Sequence, residues 1–248
     1  MRPKPIPDKL KHDAIIEAIF EMRFDPTSIP ELLFGRLADH PSWKNFDRRR
    51  LPAYDIPAPM RQADDNLRHQ PVLELADLAN KRSIRVGPQV LSYHQLAPYG
   101  SWAQFEPCLV EVVDQLFAKS EGVVIRRLGL RYLNALQSDV HGVSGVADLD
   151  LSVVVSEETI SKSLNLNYTL TTSDEMACTV RVATIDLVQG VLPSNSSVVV
   201  DVDVSTKEPF QSTDATEVKR WLKLAHAKEK ENFFSLLRES TIRALEAR

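Results

Sequence analysis

The chain has 248 residues, 43% hydrophobic and 26% charged, the balance of an ordinary globular protein of one large domain or two smaller ones. Lys and Arg number 30 against 34 Asp and Glu, a formal charge of −4 that argues against a generally basic nucleic-acid binder. No apolar run reaches transmembrane length, the basic N-terminus lacks the apolar stretch of a secretory signal, and Cys108 and Cys178 are too few for a disulfide scaffold or a structural zinc site, so a cytoplasmic protein without cofactor is expected.

Residues 1–13 are polar, carry Pro3, Pro5 and Pro7, and read as an extended arm. Residues 15–24 alternate with period 2: Ile16, Ala18, Phe20, Met22 and Phe24 on one face, Glu17, Glu21 and Arg23 on the other, which predicts a strand. Ser28 is placed to cap a helix over about 29–39 with Pro30 in its first turn. Residues 41–71 hold five prolines and Arg48-Arg49-Arg50 without periodicity and read as a long irregular loop. Three short strands follow at 72–78, 82–87 and 90–96. Ser101 is a candidate N-cap for a helix over 102–119, whose stripe is Phe105, Leu109, Val112, Val113, Leu116 and Phe117, with Gly122 closing it.

Residues 123–136 form the strongest strand pattern. Val124, Leu128, Leu130, Tyr132, Asn134 and Leu136 share one face, with Arg126 at its start; Ile125, Arg127, Gly129, Arg131, Leu133 and Ala135 share the other. The Gly-containing stretch 138–147 is the candidate boundary between two halves, 1–137 and 138–248. Beyond it strands are expected at 149–155, 163–172, 175–188 and 197–205, with a hairpin turn at Ser173-Asp174. A helix capped by Asp214, with Glu217 three residues on, runs over about 215–245 and bends or opens to solvent in its polar middle, 228–232. The class is α+β: mainly antiparallel sheets with helices on one face, a ferredoxin-like first half with an extra hairpin, and a second half of strands followed by a long C-terminal helix.

Three segments, 14–24, 97–105 (Tyr99, Trp102, Phe105) and 125–136 (Arg127, Gly129, Leu130, Arg131, Tyr132, Asn134), resemble a sporadically distributed bacterial family of about this length and unknown function; the strand at 198–204 fits it too. The resemblance implies a bacterial cytosolic protein and allows a role in an accessory, defence-type system. It supplies no catalytic residue.

Arg127 and Arg131 point the same way, on the order of 13 Å apart along the strand, with Gly129 between them. They form either an anion clamp or ordinary cross-strand pairs with Glu17 and Glu21, and the paired reading is the commoner one. Tyr132 and Asn134 are polar residues on an apolar face that need partners, either structural ones or a ligand in a pocket shared with Tyr99. Tyr99, Trp102 and Phe105 read first as a plug anchoring a helix. Asp201/Asp203 and Asp148/Asp150 read as solvated strand faces, and no two histidines stand at metal-ligand spacing. Arg48, Arg49 and Arg50, near Trp43, Phe46 and Tyr54, read first as a solvated turn whose aromatics tack the loop to the body, and are candidates for an acidic partner or nucleic acid. The function expected first is non-catalytic binding or regulation through a protein partner, with a homodimer compatible. The alternatives are nucleotide or nucleic-acid binding on the arginine face, and a small-molecule enzyme with a pocket between the halves.

Overall fold

The computed structural model describes residues 6–7, 10–25, 29–171 and 176–246. Strand β1 (Ile15–Phe24) is followed by helix α1 (Pro30–Ala38) and by a short strand β2 (Asp47–Arg50). Two small helices, α2 (Ala58–Ala63) and α3 (Asp65–Arg68), lead to a meander of β3 (Leu73–Asp77), β4 (Arg82–Val86) and β5 (Val90–Leu96). Helix α4 (Trp102–Lys119) then crosses to β6 (Ile125–Gln137), which ends in the single turn α5 (Ser138–His141). A separate two-stranded ribbon, β7 (Val154–Val155) and β8 (Glu158–Thr159), precedes the long strands β9 (Asn165–Thr171), β10 (Met176–Thr184) and β11 (Ser196–Thr206). Helices α6 (Ala215–Leu236) and α7 (Glu239–Leu245) finish the chain.

Nine strands form one antiparallel sheet in the order β2-β3-β4-β5-β1-β6-β11-β10-β9. The class is α+β, as the sequence pattern indicates. Within the sheet, β4-β5-β1-β6 with α1 and α4 reproduces the ferredoxin-like order, and the additional strands are β3, which forms a hairpin with β4, and the unexpected β2, which reaches β3 through α2 and α3. The 137/138 boundary falls at the end of β6, and the sheet continues across it because β6 pairs with β1 on one side and β11 on the other. One face of the sheet is packed beneath α1, α4 and α6. Alternation puts Ala18, Phe20, Met22, Leu128, Leu130, Val202, Val204 and Cys178 into that core, each buried.

Several local expectations change. Residues 41–71 are not all loop: Asp47–Arg50 pair with β3, a strand invisible to periodicity because it is exposed along its whole length and held by main-chain bonds alone. A register shift between Arg23 and Phe24 turns Ile125 into the core and Arg126 out to solvent, reversing the expected faces at the start of β6. Ser101 sits at the N-cap of α4, but its side chain makes no capping bond. Asp214 does cap α6, accepting a 2.7 Å bond from the Thr216 N–H, while Glu217 accepts from the Ser212 hydroxyl (2.5 Å) rather than closing a box. Residues 228–232 stay helical, and the chain breaks instead at Leu237–Arg238, between α6 and α7. Of 149–155 only the last two residues are strand. The Ser28 cap and the Ser173-Asp174 turn lie outside the described residues.

Candidate functional site

The sheet's other face carries the arginines singled out in the sequence. Glu21 lies opposite Gly129 across β1 and β6, and Arg23 lies opposite Arg127. A Cβ on Gly129 would fall 2.8 Å from Arg127 Nη1, so glycine leaves room for that guanidinium to lie across the strand. Arg127 donates to Glu21 (3.1 Å) and to Asp203 (3.4 Å). Arg131 makes a two-pronged pair with Asp201, Nε to Oδ1 at 2.8 Å and Nη2 to Oδ2 at 2.6 Å. Glu17 pairs with His94 (2.9 Å), which pulls its carboxyl below the usual range, and Arg85 donates to Glu74 (2.8 Å). Each arginine named here has a carboxylate, so the face is charge-balanced and an incoming anion would have to displace those pairs. In the second Asp-x-Asp, Asp148 accepts from the Ser144 N–H. Of the three consecutive arginines, Arg49 pairs with Asp47 at 3.7 Å and Arg50 lies 4.4 Å from the centre of the Tyr54 ring; all three are exposed. Among the described residues no group of three or more His, Cys, Asp or Glu could hold a metal ion, and no helix is long and apolar enough to cross a membrane.

The core side holds a different kind of site. A cavity of about 310 Å³ lies where α6 crosses the sheet, and its lining includes Tyr99, Tyr132 and Asn134, the three residues expected to share a pocket. Its outer wall is the N-terminal segment. Of the expected arm, residues 10 and 11 are tied down: Leu10 bridges to Glu246, and the Lys11 N–H donates to the Leu245 carbonyl at 2.8 Å. The floor is β6, with Tyr132 and Asn134 essentially buried. The Tyr99 and Tyr132 hydroxyls are 3.0 Å apart and their rings meet edge to face; burial pushes both phenols up. Asn134 gives its amide N–H₂ to the Tyr132 and Val200 carbonyls (3.3 and 3.2 Å), which fixes it structurally at the cavity wall. Trp102 stacks on His226 of α6, 4.0 Å between ring centres and 4° from parallel. Tyr99 and Phe105 pack as the expected plug, so Tyr99 serves as both anchor and cavity wall.

Two polar groups here lack partners. His226 Nδ1 is buried without a hydrogen bond, and burial with the nearby Lys230 charge holds the imidazole down at about 4, hence neutral. Glu229 is 5% exposed, lines the cavity, and makes no hydrogen bond or ion pair among the described residues. Burial pushes its carboxyl up to about 8, with Asp13 adding to the rise and Lys230 opposing it. The expectation that 228–232 is a bend or an exposed span passes over this residue. The signal that finds it is the stripe itself: Ala225, Glu229 and Phe233 are spaced by four, so Glu229 occupies an inward position of α6.

A scan of family profiles and a search of curated proteins give no match to this chain.

Proposed function

We propose that this protein binds a small organic molecule in the cavity between α6, β6 and the N-terminal segment. The observation that carries this reading is Glu229, a carboxyl group in the core stripe of a helix that faces the cavity and has no hydrogen-bond or ion-pair partner among the described residues. Burying such a group unpaired costs several kcal/mol, and a perturbed titratable group in a concave, mostly apolar pocket is the usual mark of a binding site. The cavity volume, about 310 Å³, is at the lower end of the range that small-molecule sites occupy. The resemblance to a family of unknown function adds no reaction to this reading.

A fragment screen by ligand-observed NMR on the intact chain tests it. Ser101 stands at the cavity wall and its hydroxyl makes no capping bond, so Ser101→Trp fills the space without removing a cap. Fragments are expected to bind the natural chain and to be lost in this variant. Binding that survives Ser101→Trp, or no fragment bound at all, overturns the proposal.

A second reading, a protein partner or second copy, rests on β9. Among the described residues this strand ends the sheet with one edge unpaired; it carries no charge from Asn165 to Thr171 and exposes Leu170, whereas the opposite edge strand, β2, is Asp-Arg-Arg-Arg. Uncharged edges are the ones that accept another strand. A co-purifying polypeptide or a dimer, lost on Thr169→Lys, would support it in native mass spectrometry of protein from its own host; a monomer unchanged by that substitution would remove it.

A further inference from the structure

We infer that the cavity is a site for an organic cation, a ligand whose protonated nitrogen is taken by Glu229 while its apolar body lies among Tyr99, Trp102, Phe233 and Phe234. This rests on the small-molecule reading above and names the ligand class. The argument is one of complementarity. Aromatic faces are electron-rich and attract ammonium groups, most strongly where water is excluded. A carboxylate with no partner completes the same preference, since a bound cation supplies the counter-charge that the fold does not. An anionic ligand meets the Glu229 carboxyl and the Asp13 side chain at the wall; Lys11 and Lys230, which also line the cavity, are the groups that would favour it.

The charge on the cavity follows from the groups facing Glu229. They are Asp13 and Lys11 from the N-terminal segment, His226 and Lys230 on α6, Tyr99 ahead of α4, Tyr132 on β6 and Cys178 on β10. His226 is neutral down to about pH 4, the two phenols are raised by burial, and the Cys178 thiol is pushed up to about 12, so none of these four changes charge near neutrality. Lys11 is exposed and Lys230 half-buried, and neither forms an ion pair with Glu229. In the empty cavity Glu229 holds its proton at pH 7, because its pKa is about 8. A cation must therefore expel that proton to bind, and its affinity must rise with pH until Glu229 is ionised without help.

The test uses three probes of one shape: 2-phenylethylammonium, 2-phenylethanol and 3-phenylpropionate, titrated by calorimetry into the intact chain between pH 6 and pH 9. The ammonium is expected to bind at least ~10-fold tighter than the other two at pH 8, because a charge-assisted hydrogen bond to this carboxylate is worth about that factor. Its affinity should climb roughly 10-fold per pH unit below the Glu229 pKa and level off above it, with close to one proton released per ligand at pH 7. Glu229→Gln should bring the ammonium down to the affinity of the alcohol and flatten its pH dependence; the natural chain's own pH profile gives the answer if that variant does not fold. Equal binding of all three probes, tighter binding of the carboxylate, or an affinity that falls with pH overturns the cation while leaving the cavity reading in place. Binding of none of them overturns the cation when the fragment screen finds other ligands, and both readings fall when the screen is empty too.

Discussion

Asp201 is 7% exposed, and both of its carboxylate oxygens are occupied by Arg131, whose own side chain is 46% exposed. The two partners are therefore unequal. Arg131→Ala strands a buried carboxylate, which costs roughly 1–3 kcal/mol. Asp201→Asn keeps an acceptor and leaves behind an arginine that water reaches, so its cost is about 1 kcal/mol or less. Urea denaturation of the two variants should place Arg131→Ala clearly below Asp201→Asn. Equal midpoints would mean that the pair contributes as an exposed bridge does. The same reasoning sets aside the clamp between Arg127 and Arg131: their spacing in the sequence is real, but Glu21, Asp203 and Asp201 already fill the places an anion would take.

Elements differ in how tightly their turns are held, and two glycines separate the cases. At the turn between β4 and β5, a Cβ on Gly87 would meet the Gln70 carbonyl oxygen at 2.7 Å and Val90 Cγ1 at 2.8 Å, and a main-chain oxygen cannot swing away. Gly87→Ala should cost about 1–3 kcal/mol by overpacking. After α4, Gly122 has φ +68° and open space around it, so Gly122→Ala meets only the left-handed backbone penalty, about 1 kcal/mol. Thermal denaturation should rank Gly87→Ala as the worse of the two. The elements themselves were legible wherever one face is apolar and the other polar: β1 is bounded by its alternation over 15–24, and α4 by its stripe over 102–119. Three features were not. Strand β2 has no apolar face to show. The bulge that turns Ile125 inward depends on pairing with β1, which a single strand does not encode. Glu229 sits in a polar run, KEKEN, whose inward position appears only when the apolar phase is carried through it from Ala225 to Phe233. The cavity was legible in part: Tyr99, Tyr132 and Asn134 could be read from β6 and the start of α4, whereas the wall made by residues 10–15 depends on a contact with the far end of the chain.

At the scale of the whole molecule the buried titratable groups oppose one another, and their windows fix the pH of greatest stability. His226 is held at about 4 against an ordinary 6.5, so between those values the unfolded chain binds a proton that the native state refuses, and stability rises with pH. His141 is lowered by burial in the same sense, and His69, more screened by solvent, adds less. Glu17, whose carboxyl is lowered chiefly by its bond to His94, stabilises above the ordinary carboxylate range, and that contribution is lost in acid. Glu229 works the other way. Its carboxyl, at about 8 against an ordinary 4.5, keeps a proton that the unfolded chain has released, so stability falls with pH across that interval, by on the order of 1 kcal/mol per unit. Asp203, raised by burial despite Arg127 and Arg131, acts in the same direction. Below pH 6.5 the histidines outweigh Glu229; above it their contribution fades and the decline follows chiefly from Glu229 until about pH 8. The melting temperature of the ligand-free protein should therefore peak near pH 6.5 and decline toward pH 8. Glu229→Gln should remove most of the alkaline decline, and His226→Phe, which keeps a ring against Trp102 and deletes the unpartnered nitrogen, should raise stability more at pH 5 than at pH 7.5. A melting temperature that is level from pH 6.5 to 8 would show that Glu229 ionises freely in the native state, and the charge logic of the cavity would then fail with it.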